Sequence, residues 1–213
     1  MDKEISIINN ETKKEKVLNF FKNNKKKLFL LLIILILIPF SIFSYQIIKD
    51  KNKDKLSSKF NLAVSSYENG NKSEIKSIMK EIISNKDKTY SPLALYFLID
   101  NDIQLTNKEV NNYFDIIINE INLDKEIKNL NIYKKGLFNS SFVSENELLL
   151  ILKPVINSDS LWKPHALILL GEYFLDKNQN QKAKEFFNQI LNIENTNEQL
   201  KIEAKKRLIN IGE

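Results

Sequence analysis

The sequence predicts an all-α protein in which a transmembrane helix near the N-terminus precedes an array of α-helical hairpins. Three observations lead to this fold class. Residues 28–48, a run of 21, contain no charged side chain. After this run, apolar residues recur at helical spacing and do not alternate with polar ones. Gly and Pro number only four each among 213 residues, so the chain lacks the turn residues that an all-β fold of short strands requires.

The composition excludes several functional classes. The chain has no cysteine and a single histidine, His165, which rules out a disulfide framework, a catalytic thiol and a thiolate or multi-histidine metal site. The sequence also lacks the glycine-rich phosphate-binding, nucleophile-elbow and zinc-protease motifs. We therefore expect a protein that is not an enzyme and that takes no cofactor, no metal and no small-molecule substrate.

The positive charge of the chain lies on both sides of the uncharged run. Of the formal net charge of +5, residues 1–27 contribute +4 (eight Lys, four acids) and residues 49–59 contribute +3 (five Lys, two Asp). From Phe60 onward there are 19 basic and 21 acidic residues, a net charge of −2. A nucleic-acid-binding protein would carry positive charge on its folded domain, so we expect no nucleic acid among the partners.

The uncharged run is long enough to cross a bilayer as a helix. At 1.5 Å per residue, its 21 residues span about 30 Å, the thickness of the hydrocarbon layer. The long basic head and the absence of an A-x-A pattern favour a retained anchor over a cleaved signal peptide. We expect a cytoplasmic basic tail (1–27), a transmembrane helix (28–48), a linker (49–55) and a periplasmic domain (56–213).

The orientation in the membrane rests on a modest difference between the two lysine-rich flanks. More lysines precede the span than follow it, which favours a cytoplasmic N-terminus under the positive-inside rule. A cytosolic location of the main domain is the alternative. Within the tail, Val17, Phe20 and Phe21 are consistent either with a short amphipathic helix on the membrane surface or with a disordered segment.

The domain after the span contains nine stretches of helical periodicity separated by short polar segments. Apolar residues recur in these stretches three, four, seven or eight positions apart, the pattern of one buried helix face. The stretches cover residues 56–67, 75–83, 92–99, 106–121, 124–138, 144–154, 163–174, 183–191 and 196–208. Short connections of this kind favour antiparallel pairs of neighbouring helices.

Several helix ends are predicted by local sequence signals. Capping boxes, in which a Ser or Thr is followed three residues later by Glu or Gln, occur at Thr106/Glu109, Ser144/Glu147 and Thr196/Gln199. Ser91-Pro92 predicts an N-cap at Ser91 with proline at the first helical position, and Lys163-Pro164 predicts another helix start. Asp124 is a further N-cap candidate. Gly70 and Pro154 mark predicted helix ends, and Asp100 and Asp102 have the spacing of a turn.

One hairpin carries a repeat motif. Leu170-Gly171 and Phe174 are followed at helical positions by Ala183 and Phe187, so that small residues on the first and second helix allow a close approach. This spacing resembles the tetratricopeptide repeat, with residues 164–197 forming one 34-residue unit; Leu167 replaces an aromatic residue of that motif and Asn195 its closing proline. The offsets of 12, 16 and 19 residues recur from Ala63 and from Leu98, although any helical hairpin can produce them.

The whole layout is similar to a bacterial family, the single-pass ancillary subunit of the Sec translocon. The resemblance rests on the anchor, the repeat at 164–197 and the residues Trp162, Pro164 and Ala166 just before it. It implies a tetratricopeptide-like periplasmic domain in the bacterial inner membrane, with translocon subunits or periplasmic chaperones and their clients as partners. The function it implies is assistance to protein export or handover to periplasmic chaperones. The alternatives are a scaffold for cell division or envelope assembly and a membrane-tethered enzyme.

The register of the motif also predicts where a partner binds. In tetratricopeptide arrays the first helix of each pair lines the concave face, which corresponds here to His165, Ile168, Glu172, Leu175 and Asp176. Two acids and no lysine favour a partner with basic or amphipathic helical character. The alternative is that these residues form a solvated scaffold face, that His165 is structural, and that Trp162 is a hydrophobic staple or a wedge between repeats.

Overall fold

The computed structural model describes residues 15–16, 18–68, 72–194 and 196–212. Val17, Gly70 and Asn195, which entered the expectations above, lie outside this set. Within it, every regular element is helical, which confirms the all-α prediction. The principal helices are α1 (Lys25–Ser65), α2 (Lys72–Ser84), α3 (Tyr90–Asp100), α4 (Asn107–Glu120), α5 (Lys125–Asn139), α6 (Glu145–Ile156), α7 (Lys163–Asp176), α8 (Asn180–Leu191) and α9 (Glu198–Gly212).

The chain divides into two compact units, residues 1–55 and 56–213. In the first unit, α1 is the one described helix that is long and apolar enough to cross a membrane. Its described apolar side chains in the 28–48 region are exposed rather than packed in a core. Pro39 lies inside the helix without ending it, and residues 49–55, expected to be a linker, continue the helix.

The nine periodic stretches all form helices, and the first of them is the C-terminal part of α1 rather than a separate helix. The capping boxes at Thr106/Glu109 and Ser144/Glu147 are present. Glu109 also accepts a hydrogen bond from Lys80 of α2 at 2.7 Å, and this bond, with the Thr106 amide, lowers the pKa of Glu109 to about 2. The α4 cap therefore also joins two helices.

Three expectations about helix ends need correction, and a fourth, at Asp124, is confirmed in position only. Ser91 is not an N-cap, because α3 begins one residue earlier and the buried Ser91 hydroxyl donates to the carbonyls of Ile82 and Ile83. The third capping box is wrong, because the Gln199 amide donates to the Asn197 side chain at 2.8 Å. Asp124 occupies the N-cap position without a side-chain bond. Finally, α6 runs past Pro154 to Ile156.

Two loops reverse the chain with the same backbone conformation at the end of a helix. After α3, Asp102 has a φ of 48°, and the Ile103 amide donates to the Leu98 carbonyl. After α7, Asn178 has a φ of 57°, and the Gln179 amide donates to the Phe174 carbonyl. These are Schellman motifs, in which Asp and Asn tolerate the left-handed conformation better than most residues. The turn expected around Asp100 and Asp102 is thus confirmed.

In the second unit the core lies between successive helices. From α2 onward each helix packs on the next, and α7 also contacts α5 and α9. The C-terminal part of α1 joins this unit through Phe60, whose ring contacts those of Tyr90 and Phe97. Buried apolar residues extend from Ala63 to Ala204 as a continuous cluster. As a result, α5, α7 and α9 lie side by side, and this arrangement positions the candidate site.

Candidate functional site

The five residues predicted to bind a partner lie along α7, but they are not equally available. His165, Ile168, Glu172 and Leu175 are half-buried, whereas Asp176 at the helix end is exposed. Neighbouring helices supply three further side chains close to them, Tyr133 from α5 and Glu203 and Arg207 from α9. We call the surface formed by these residues and Trp162 the C-terminal face.

An aromatic cluster forms one end of the C-terminal face. Tyr133 stacks on Trp162 with ring centroids 5.8 Å apart and an interplanar angle of 19°. The His165 ring lies 5.9 Å from that of Tyr133 and 5.3 Å from that of Trp162. Trp162 therefore packs between two helices of neighbouring hairpins, in agreement with the wedge interpretation. The Nδ1 atom of His165 is buried and has no hydrogen-bond partner among the residues that the structure describes.

A charged cluster forms the other end. Glu172 pairs with Arg207 of α9, and Arg207 also lies 4.0 Å from Glu203. The hydrogen bond that Arg207 donates to Glu172 raises the pKa of Arg207 above its usual range. Burial raises the pKa of Tyr133 on α5, and the negative charge of Glu203 on α9 raises this pKa further. Glu172 is thus not the free acid that the sequence pattern predicts, although the two carboxylates outnumber the one guanidinium.

Two cavities lie between helices of the second unit. One, of about 840 Å³, lies between the N-terminal ends of α7 and α9 and includes His165, Thr196 and Leu200 in its wall. The other, of about 310 Å³, lies between α3 and α5 and is mainly apolar, with walls that include Pro92, Leu93, Tyr96, Ile127 and Leu130.

The cavity between α3 and α5 was not predicted from the sequence. Leu93 and Ile127 on its rim remain 41% and 42% exposed. At its base the Tyr96 hydroxyl donates to Asn131 at 2.7 Å, and the Lys134 ammonium lies 4.3 Å from the centre of the Tyr96 ring. A polar residue, Asn131, is therefore buried and satisfied beneath an apolar surface, which makes this cavity a second candidate site.

The residues of the repeat motif form the contact between α7 and α8. Leu170, Phe174, Ala183 and Phe187 are buried, as is Gly171. A Cβ atom on Gly171 would lie 2.5 Å from two carbons of the Phe187 ring. The nearest atoms thus belong to Phe187, whereas the motif predicts that the small residue Ala183 packs against Gly171.

The contact between a glycine and a large apolar residue recurs one hairpin earlier, where the sequence analysis did not predict it. A Cβ on Gly136 would clash with Leu152, and Leu152 follows Gly136 by the same 16 residues that separate Phe187 from Gly171. Leu148 and Val155, at offsets of 12 and 19, are fully buried. The sequence contains this signal, since Gly136 and Leu152 keep the 16-residue spacing of Gly171 and Phe187.

The described residues contain no group of three or more His, Asp or Glu side chains that could hold a metal ion. Comparisons with protein-family models, with curated proteins and with solved structures find nothing that matches this chain. The functional interpretation therefore rests on the architecture and on the surfaces described above.

The two acids of α7 should respond differently to charge reversal. Glu172→Lys removes the ion pair and places a second cation beside Arg207, which should destabilise the protein by about 0.5–1 kcal/mol, the range of exposed pairs. Asp176→Lys, at the exposed C-terminus of α7, should change stability by less than about 0.5 kcal/mol. Denaturant unfolding followed by Trp162 fluorescence measures both. Equal effects of the two substitutions would show that the Glu172–Arg207 pair does not contribute.

Proposed function

We propose that this chain is a membrane-anchored protein-interaction scaffold whose second unit is a tetratricopeptide-like array of helical hairpins. Residues 28–48 hold it in the bilayer, and residues 56–213 present binding surfaces on a rigid helical frame. Two features of the molecule support this function: the regular spacing of the helices, and the apolar and aromatic surfaces between them.

The periodicity is the observation that carries the proposal. The second helices of successive pairs, α2, α4, α6 and α8, begin at residues 72, 107, 145 and 180, with separations of 35, 38 and 35 residues. Side-chain hydrogen bonds recur at separations of 34 or 35 residues, and they join Tyr67 to Asn101, Tyr96 to Asn131, Glu126 to Ser160, Glu145 to Gln179 and Glu172 to Arg207. Bonds one period apart are expected where each repeat stacks on the next.

The surfaces favour a protein as the ligand. Stacked repeats form extended binding surfaces that single helices cannot provide. Here the rim of the α3–α5 cavity has the exposed side chains Leu93 and Ile127. The C-terminal face has Trp162, Ile168 and the charged cluster. An apolar pocket beside partly exposed aromatic and charged groups is typical of surfaces that bind peptide segments.

The resemblance to the ancillary translocon subunit supplies the proposed setting. By that resemblance the protein lies in the bacterial inner membrane with a cytoplasmic N-terminus and a periplasmic domain. It would assist Sec-dependent export or handover to periplasmic chaperones, with translocon subunits, chaperones or their clients as partners. A scaffold for cell division or envelope assembly is the second candidate, since it would use the same anchor and the same kind of array.

Site-specific photocrosslinking in intact cells tests this function. A photoreactive amino acid at Leu93 or at Ile168 should yield discrete adducts, identified by mass spectrometry as translocon subunits, chaperones or exported proteins. The matched control is Gln189, an exposed residue on α8, which should yield few. Equal labelling at all three positions would count against both surfaces. Adducts with division or cell-wall proteins would favour the second candidate.

A further inference from the structure

A short helix just before α1 leaves its apolar side chains exposed. Residues 18–23 are helical, and Leu18, Phe20 and Phe21 are 67%, 58% and 56% exposed. The rings of Phe20 and Phe21 contact each other edge to face, 6.1 Å apart. Large apolar side chains grouped in this way on a helix indicate that another surface covers them.

The helix is separated from α1 by Asn24. Both the backbone amide and the side-chain Nδ2 of Asn24 donate to the carbonyl of Phe20 at 3.0 Å. A side chain that bonds to the preceding turn competes with the regular helical pattern. The segment before Asn24 is therefore a distinct helical turn, and α1 starts anew at Lys25.

The charges of this segment lie apart from its apolar residues. At 100° per residue, Leu18, Phe20 and Phe21 fall on one side of this short helix, and Lys16, Asn19 and Lys22 fall on the opposite side. Together with Lys25 and Lys27, five exposed lysines stand against one acid, Glu15, between residues 15 and 27. An apolar side beside a lysine-rich side is the pattern of helices that lie in a membrane interface.

We propose that residues 15–27 bind an anionic lipid surface, with Leu18, Phe20 and Phe21 at the boundary of headgroups and acyl chains and the lysines on lipid phosphates. The proposal rests on the proposed anchoring by residues 28–48. Phe21 precedes Leu28 by only seven residues, so even a fully extended connection would keep it within about 25 Å of the start of the span. The bilayer is therefore the surface closest to these rings, and lysine clusters beside a span attract anionic lipids.

A tryptophan placed on the apolar side reports this contact. The chain has a single tryptophan, Trp162, so Trp162→Phe gives a background without tryptophan. In that background, F21W is compared with the matched control N19W, whose position is exposed on the polar side. The full chain is reconstituted in nanodiscs of phosphatidylcholine, alone or mixed with phosphatidylglycerol, with brominated acyl chains as quenchers.

In the anionic discs F21W should be blue-shifted and quenched at least about twofold more than N19W. Quenching of F21W should weaken in pure phosphatidylcholine and in a variant with Lys16, Lys22 and Lys26 changed to Gln. Emission of F21W that is as accessible to acrylamide as that of N19W would overturn the proposal. Shielding from acrylamide without lipid quenching would also overturn it, since a protein surface would then cover the helix.

Equal quenching in both kinds of disc would overturn the preference for anionic lipid. Flotation of the reconstituted chain separates these results from a failure of the anchor. A chain that floats with the lipid but shows no F21W contact contradicts only the interfacial helix, whereas a chain that does not float contradicts the anchoring itself.

Discussion

Replacing Gly171 by leucine should lower the free energy of unfolding by about 3 kcal/mol, because the new side chain has no room between α7 and α8. A Cβ atom alone would lie 2.5 Å from Cε1 and Cζ of Phe187, a ring that is fully buried. The gain in helix propensity over glycine, about 1 kcal/mol, offsets only part of this cost. For a chain of this size the melting temperature should fall by roughly 6–12 °C, measured on the full chain in detergent through Trp162 fluorescence.

Two comparisons separate packing from helix propensity. Gly212→Leu makes the same exchange at a helical position where an added Cβ would meet none of the described atoms within 4 Å, its chain neighbours aside. It should leave the melting temperature unchanged or slightly higher. Adding Phe187→Ala to Gly171→Leu should recover part of the loss, because the smaller side chain frees the space that leucine needs. A Gly171→Leu variant with the wild-type melting temperature, or a double variant whose losses simply add, would contradict the contact.

Most of the fold follows from local rules. The 3.6-residue period alone located all nine helical stretches after the span, because each helix must bury one face against its neighbours. Capping boxes succeeded at Thr106 and Ser144, where the Glu three residues later completes each box. The prediction failed at Thr196, where the Asn197 side chain caps α9 instead. Thr106 is also followed by an asparagine, Asn107, so the local sequence alone does not separate the two cases.

Ser91 shows a different limit of local reasoning. Its pairing with Pro92 has the form of a helix start, but its hydroxyl is buried against α2 and satisfies the carbonyls of Ile82 and Ile83. A serine can cap its own helix or bond to the last carbonyls of a neighbouring helix. The second role requires a helix that ends beside the serine, and the residues next to it in the sequence do not show this.

The candidate sites could be predicted only in part, because they are made by residues one repeat apart. The motif register located His165 and Glu172 on α7, but it did not include Tyr133 or Arg207, which come from α5 and α9. Once a period of about 35 residues is recognised, the pairing of Glu172 with Arg207 becomes foreseeable, since their separation is one period. The apolar cavity is likewise formed by residues about one period apart, such as Leu93 on α3 and Ile127 on α5.

The largest effect is expected from charges in the middle of the span. Replacing Leu32, Leu35 and Ile38 by lysine should release the full chain from the membrane. On insertion scales each lysine at a helix centre costs about 3 kcal/mol, and each apolar residue that it replaces contributes about 0.5 kcal/mol. The triple change therefore removes about 10 kcal/mol, as much as the apolar side chains of the whole run can supply.

Carbonate extraction followed by flotation measures the outcome. The wild-type chain should float with the lipid after extraction, and the triple lysine variant should stay in the aqueous fraction. The control changes Leu32, Leu35 and Ile38 to valine, which alters side-chain size but keeps the run apolar, so this variant should float like the wild type. Flotation also separates insertion from aggregation, because aggregates sink. A wild-type chain that carbonate releases would contradict the anchor, as would a triple lysine variant that still floats.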